Sequence, residues 1–246
     1  AKGKYEWMKK FKQEGKVKAI GFSFHDDYET FSEILNAYEW DVCQIQMNYL
    51  DVERQATLKG MRDAYAKGLA VVVMEPLRGG NLINIPADVQ KLYDEFPTKR
   101  SSVEWAFRFI FDYPEVSVVL SGVSNMAQLQ EDIKLGGEFA PNTMTAQEKE
   151  LMEKVRVAYE ARMKVPCTGC EYCLPCPSNV SIPEVFTLVN NSMMYDDTTA
   201  GKQRYTRMME KQIDAAQCVE CGACESLCPQ SIGIMQELKE AHELLR

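Results

Sequence analysis

Short apolar runs alternate with stretches whose apolar residues recur every three to four positions, from residue 5 to about residue 135. Trp7, Met8 and Phe11 have helical spacing within Tyr5 to Glu14, and Gly15 ends that helix. Val17 to Phe24 reads as a strand. Asp26 or Asp27 is placed to cap a helix over Tyr28 to Tyr38, with Phe31, Ile34 and Leu35 inward. Val42 to Met47 is a second strand, followed by a helix over Thr57 to Lys67 that Gly68 stops. Leu69 to Met74 is a third strand, apolar enough to be covered on both faces. The stretch to Pro97 reads as irregular. A helix then runs from Ser101 to Phe111, a fourth strand from Val116 to Leu120, and a helix capped by Asn125 through Leu135.

Four strands separated by helices predict parallel β/α units. Right-handed crossovers curl such units one way, into an open sheet or half of a closed eight-stranded barrel. Phe139 to Met144 reads as a linker. Thr145 and Glu148 form a capping-box pattern that opens a long helix to about Met163. From Lys164 the alternation stops. Ser181 to Glu184 starts a helix that Asn190 and Asn191 are expected to end. Further helices are predicted over Lys202 to Ala215 and Ile234 to Leu245. The expected organisation is a partial β/α barrel over residues 1–140, a linker and long helix over 141–163, and a mainly helical domain over 164–246.

The helical domain holds eight of the nine cysteines in two runs. One comprises Cys167, Cys170, Cys173 and Cys176, followed by Pro177. The other comprises Cys218, Cys221, Cys224 and Cys228, followed by Pro229. The second run has the C-x2-C-x2-C-x3-C-P spacing of two-cluster ferredoxins, and the first is shorter by one residue before its last cysteine. Three cysteines in a tight loop wrap three corners of a [4Fe-4S] cube, and the fourth ligand comes from elsewhere. By the ferredoxin rule, Cys167, Cys170, Cys173 and Cys228 hold one cluster and Cys176, Cys218, Cys221 and Cys224 the other. Zinc would use two C-x-x-C hooks and four ligands, and disulfides would need an oxidising compartment. Two unbroken runs of four fit neither. Cys43 stands alone on an apolar stretch and reads as packing.

A net charge of −8 argues against nucleic acid as a partner. No apolar run is long enough to span a bilayer, so no membrane association is expected. Free cysteines without a secretory leader point to a reducing, cytoplasmic setting.

Polar and small residues collect after each strand: Ile20-Gly-Phe-Ser23, Gln44 to Asn48-Tyr49, Pro76-Leu77-Arg78-Gly79-Gly80 and Gly122-Val-Ser124-Asn125. The last precedes a helix N-terminus, a ready site for a phosphate. In this order the motifs resemble the second half of an aldo-keto reductase, strands five to eight of its (β/α)8 barrel. With the cysteine runs behind them, the chain resembles the subgroup fused to a C-terminal two-cluster ferredoxin domain.

The resemblance implies two [4Fe-4S] clusters and NAD or NADP, with flavin a further option. It implies that Ser23 and Gln44 hold the nicotinamide carboxamide, and that Leu77 and Gly79 cover the pyrophosphate. Gly122, Ser124, Gln128 and Glu131 would hold the adenosine end. No Lys or Arg stands where the family grips a 2′-phosphate; Arg78 is a substitute or a solvated side chain. The catalytic Asp, Tyr, Lys and His of the family lie on the first four strands, and no residue here maps onto them, so the catalytic group is unknown. His25 and Glu75 sit at the expected cofactor mouth, while His242 is expected to face solvent. The chain is accordingly expected to be the C-terminal part of a longer protein, with the open half-barrel covered by the missing N-terminal half, a second copy or a partner chain. The function implied is a nicotinamide-dependent oxidoreductase passing electrons through iron–sulfur clusters to a redox carrier protein or a small-molecule donor or acceptor. The alternative is a non-catalytic electron-transfer or docking subunit with the barrel part as scaffold.

Overall fold

Four strands lie side by side and parallel in the computed structural model, which describes residues 2–246. They are β1 (Gly21–Phe24), β2 (Val42–Gln46), β3 (Ala70–Met74) and β4 (Val116–Val119), in the order β1-β2-β3-β4. The chain divides into two compact units, Ala1–Ile85 with Lys91–Arg156, and Pro86–Gln90 with Val157–Arg246. The sheet belongs to the first.

Local chemistry sets the helices between the strands. Helix α1 spans Lys2–Gln13. Asp27 accepts a hydrogen bond from the Thr30 N–H (2.8 Å) and starts α2 (Tyr28–Ala37). Helix α3 (Thr57–Ala66) stops at Gly68, whose φ of +84° suits glycine. Ser101 and Glu104 close a capping box on α5 (Ser102–Phe111). Asn125 caps α6 (Met126–Glu138). The stretch read as irregular contains α4 (Ala87–Glu95), which follows Pro86 and carries Val89, Leu92 and Tyr93 at helical spacing. The first strand is shorter than expected. Pairing begins at Gly21, where any Cβ would fall 2.0 Å from the Val42 carbonyl oxygen.

One sheet face is closed and the other open. Phe24, Cys43, Ile45, Val71 and Val73 pack with Phe31, Met61, Ala64 and Ile110 into one buried cluster. Burial pushes the Cys43 thiol up to about 12, as befits an inert packing residue. Ser23, Gln44, Val72 and Val118 share the opposite face, in register across the sheet. Ser23 is exposed and Val118 is 48% exposed. The apolar run of β3 is therefore covered on one face and only half-buried on the other, unlike the strand predicted.

The capping box at Thr145 and Glu148 opens α7 (Ala146–Ala161). Glu148 also takes two hydrogen bonds of 2.8 Å from the Arg108 guanidinium of α5. Burial raises the Glu148 carboxyl, but Arg108 and the Thr145 N–H outweigh it and hold the group below its ordinary 4.5. A depressed folded pKa stabilises the fold above pH 4.5 and loses that contribution as pH falls through the folded value. Urea titrations from neutral to acid pH should show a smaller acid loss of stability in Glu148→Gln than in wild type. Equal losses would mean that this carboxylate carries no pH-linked stability.

The second unit is built from α8 (Ile182–Tyr195), α9 (Thr199–Glu210), α10 (Ala223–Ser226) and α11 (Ile234–Leu245). Val185, Phe186, Val189, Tyr205, Met208, Leu238 and Ala241 form its core. Helix α8 does not end at Asn190. That residue is buried within the helix, and its amide bonds the Lys164 and Val165 N–H groups and the Val165 carbonyl. His242 is half-buried rather than solvent-facing, with Nδ1 2.9 Å from the Tyr205 hydroxyl. That hydroxyl accepts the Ala215 N–H, and burial pushes its pKa up to about 12. Among the described residues no helix is long and apolar enough to cross a membrane.

Candidate cofactor sites

The cysteine loops curl because the first two C-x-x-C steps of each run each contain one residue in the left-handed region. These are Gly169 and Glu171 in the first run, Glu220 and Gly222 in the second. Such residues reverse the chain within a few positions and turn neighbouring side chains to a common side. In the first run the Leu174 N–H also donates to the Glu171 carbonyl (2.8 Å). Asn190 ties down Lys164 and Val165 just ahead of Cys167. In the second run a short 3-10 turn, Ala215–Gln217, capped by Asp214, leads into Cys218.

These loops build two cavities. Cys167, Cys170, Cys173 and Cys228 line one. Cys176, Cys218, Cys221 and Cys224 line the other. Each set takes three cysteines from one run and the last cysteine of the other. Ile182 lines both. All eight are free thiols, and six pack against the apolar core of this unit. Burial pushes the Cys167, Cys173 and Cys224 thiols up, which a metal would reverse by binding the thiolate.

The donor chemistry fits an iron–sulfur cube better than a single ion. Zinc draws its ligands to about 2.3 Å from one point. Among the described residues no three Cys, His, Asp or Glu side chains converge that way. Each cavity is lined by four thiols from two loops, the donor set of an iron–sulfur cluster.

A second site lies in the sheet unit. A cavity of about 700 Å³ is lined by Leu77 and Gly79 after β3, and by Gly122, Gln128 and Glu131 around the start of α6. Glu75 and Asp132 also face it, and no Lys or Arg among the described residues does. Ser124 is not among the lining residues. Its N–H and hydroxyl both donate to the Gln128 side-chain oxygen, at 2.8 and 3.1 Å. The helix N-terminus read as a phosphate site thus has one of its N–H groups met by a neutral amide. Ser23 and Gln44 lie together on the open sheet face, with Gln44 Nε2 3.4 Å from the Ser23 hydroxyl and 3.2 Å from the Met74 sulfur. His25 is exposed after β1 and lines none of the three cavities.

Several residues read as mouth groups are structural. Gln46 and Asn48 are buried, and both donate to Asp51 Oδ2, at 2.8 and 2.9 Å. Arg78 is not solvated: its guanidinium Nε lies 3.0 Å from the same oxygen, with Asp51 3% and Arg78 14% exposed. No local sequence signal joins positions 51 and 78.

A parallel β/α sheet with a cavity at its strand ends, and a helical unit with two four-cysteine hollows, define a redox protein with an iron–sulfur domain. Residues 4–143 match the aldo/keto reductase family model and residues 166–233 match the 4Fe-4S dicluster domain, so the chain belongs to the aldo/keto reductase family and carries a dicluster domain behind it. It is similar in structure to the aldo-keto reductase AKR11C1 from Bacillus halodurans in its holo form, at 23% identity and a TM-score of 0.49. That match covers 60% of this chain and 53% of the other. The apo form of the same enzyme gives 23% identity and a TM-score of 0.49, covering 60% and 54%. The chain thus spans about half the length of the reductases it matches. No curated protein sequence matches it.

Proposed function

We propose that this chain is the cofactor-binding, C-terminal part of an aldo-keto reductase that couples a nicotinamide reaction to electron transfer through two [4Fe-4S] clusters. The observation that carries the reading is the pair of four-cysteine cavities on one chain with the strand-end cavity. In this reading residues 1–140 are the second half of the barrel, 141–163 connect, and 164–246 hold the clusters. Cys167, Cys170, Cys173 and Cys228 ligate one cluster, and Cys176, Cys218, Cys221 and Cys224 the other. Ser23 and Gln44 hold the nicotinamide carboxamide. Leu77 and Gly79 cover the pyrophosphate, and Gly122, Ser124, Gln128 and Glu131 hold the adenosine end.

When bound, the nicotinamide supplies a two-electron hydride and the clusters supply single-electron steps. The chain's own residues decide which nucleotide fits. A 2′-phosphate needs a cation, whereas a ribose hydroxyl is met by a carboxylate. Glu131 and Asp132 line the cavity and no cation among the described residues does, which favours NAD. The open sheet face is covered by an N-terminal half of the barrel. The exposure of Ser23 and Val118 supports this. Without that cover the sheet would also present unpaired edges at β1 and β4.

The test is anaerobic addition of NADH, and separately NADPH, to the full-length protein while following the cluster absorbance near about 400 nm. NADH should bleach it, and NADPH should do so only at higher concentration. A spectrum unchanged by either nucleotide, in protein that binds its iron, would remove the coupling from the proposal. Equal response to both would remove the preference.

A further inference from the structure

The chain is acidic overall, yet α9 carries a basic stripe. Arg204, Arg207 and Lys211 fall at intervals of three and four, on one side of the helix, and all three are exposed. They line a groove of about 250 Å³ together with Glu184, Met208 and Ile213. Arg204 is paired with Glu184 at 2.9 Å. Arg207 and Lys211 have no acidic partner among the described residues, as is also true of Lys202 and Lys239 elsewhere in this unit, but only these two face the groove.

The groove lies one layer from the cysteines. Its floor is Met208 and Ile213; Met208 belongs to the apolar core, and Ile213 packs against that core together with Cys176 and Cys218. The Ser181 N–H donates to the Ile213 carbonyl (2.9 Å), joining the end of α9 to the segment that follows Cys176 and Pro177. From Ile213 the chain runs through the Asp214-capped turn directly into Cys218. On the cysteine loops themselves the exposed charges are Glu171 and Glu220, of the opposite sign.

A groove with Met208 and Ile213 at its base and a rim that carries two unpaired cations beside the Arg204–Glu184 pair has the polar, charged make-up of a weak protein contact. A free phosphate would gain nothing from Met208 and Ile213. We propose that this groove docks a small acidic one-electron carrier protein, which exchanges electrons with the cluster held by Cys176, Cys218, Cys221 and Cys224. This rests on the two-cluster reading above. A single electron crosses in each encounter, so one partner is oxidised by one as the other is reduced by one. No bond is made and no proton moves. Repulsion by Glu171 and Glu220 orients an acidic carrier away from the loops and toward α9. Encounters of this kind are small and weak, and charge sets their rate more than their affinity.

The test uses the full-length protein with its iron restored anaerobically. Stopped-flow absorbance follows cluster reduction by a reduced acidic ferredoxin and, in parallel, by photoreduced deazariboflavin, a small neutral reductant. With the ferredoxin the second-order rate should fall as salt rises, and the R207E/K211E double variant should be slower by roughly tenfold or more at low salt. R207Q/K211Q should fall between the two. Deazariboflavin should reduce wild type and variants alike. Equal ferredoxin rates in wild type and R207E/K211E, or an equal loss with both reductants, would overturn the docking surface. Failure of the wild-type protein to take up iron would overturn the two-cluster reading itself, and it would show in the iron content before any rate is measured.

Discussion

Cys228→Ala should abolish the cluster built on the first cysteine run, although Cys228 belongs to the second. The structure places its side chain in the cavity lined by Cys167, Cys170 and Cys173. Iron content should fall by about half, since each cavity then either keeps or loses a whole cube. The decisive comparison is between double variants. Cys228→Ala with Cys170→Ala should lose no more iron than either alone, because both remove ligands from one site. Cys228→Ala with Cys221→Ala should strip both sites. This is the logic of a double-mutant cycle applied to iron: changes at one site overlap and changes at two sites add. If ligation stayed within each run, the outcomes would be exchanged. The same test applies at Cys176, which lines the cavity of Cys218, Cys221 and Cys224. Cys176→Ala should overlap with Cys221→Ala and add to Cys170→Ala.

The grouping of the cysteines could be proposed from spacing because a covalent ligand set leaves a local signature. So do helix caps, and those at Asp27, Asn125 and Thr145 stand where their residue types indicate. What stayed hidden depends on partners distant in sequence. Asn190 looks like a helix stop because its side chain competes with helical backbone hydrogen bonds. In the fold that side chain is occupied 25 residues away, by Val165, and the helix runs on. His242 looks like a solvent-facing residue on an amphipathic helix until Tyr205 is placed beside it. The apolar run of β3 resembles a strand buried on both faces, and sequence cannot say whether its second face finds a cover. Helix α4 was masked by turn residues on both sides, although Val89, Leu92 and Tyr93 carry the period that would have found it. The strand-end motifs pointed to the cavity in the sheet unit. They did not distinguish the residues that line it, Leu77, Gly79, Gly122, Gln128 and Glu131, from Gln46 and Asn48, which brace it from inside.

That bracing leads to a large stability effect. Asp51→Ala should destabilise the sheet unit by about 3–5 kcal/mol, the cost of breaking a buried charge pair by removing one partner. Asp51 Oδ2 accepts hydrogen bonds from Gln46 and Asn48 and faces Arg78 Nε at 3.0 Å. The alanine variant leaves two buried amides and a largely buried guanidinium without their acceptor. Asp51→Asn keeps an oxygen for the amides but not the charge, and should lose less. The consequence extends to the cavity through Arg78. Its loop holds four left-handed residues, Glu75, Arg78, Gly79 and Gly80, of which two are not glycine. Each non-glycine residue of this kind costs on the order of 1–3 kcal/mol and persists only where its surroundings hold it. The Asp51 contact is one such hold, so its loss should loosen Leu77 and Gly79 at the cavity edge. Urea unfolding read by tryptophan fluorescence gives the stability change, since Trp105 is buried in this unit. NADH titration of the full-length variant at low temperature, where it remains folded, gives the effect on the loop. A loss below about 1 kcal/mol for Asp51→Ala would place the pair among ion pairs of surface strength. It would leave the loop's conformation to be explained by its own sequence.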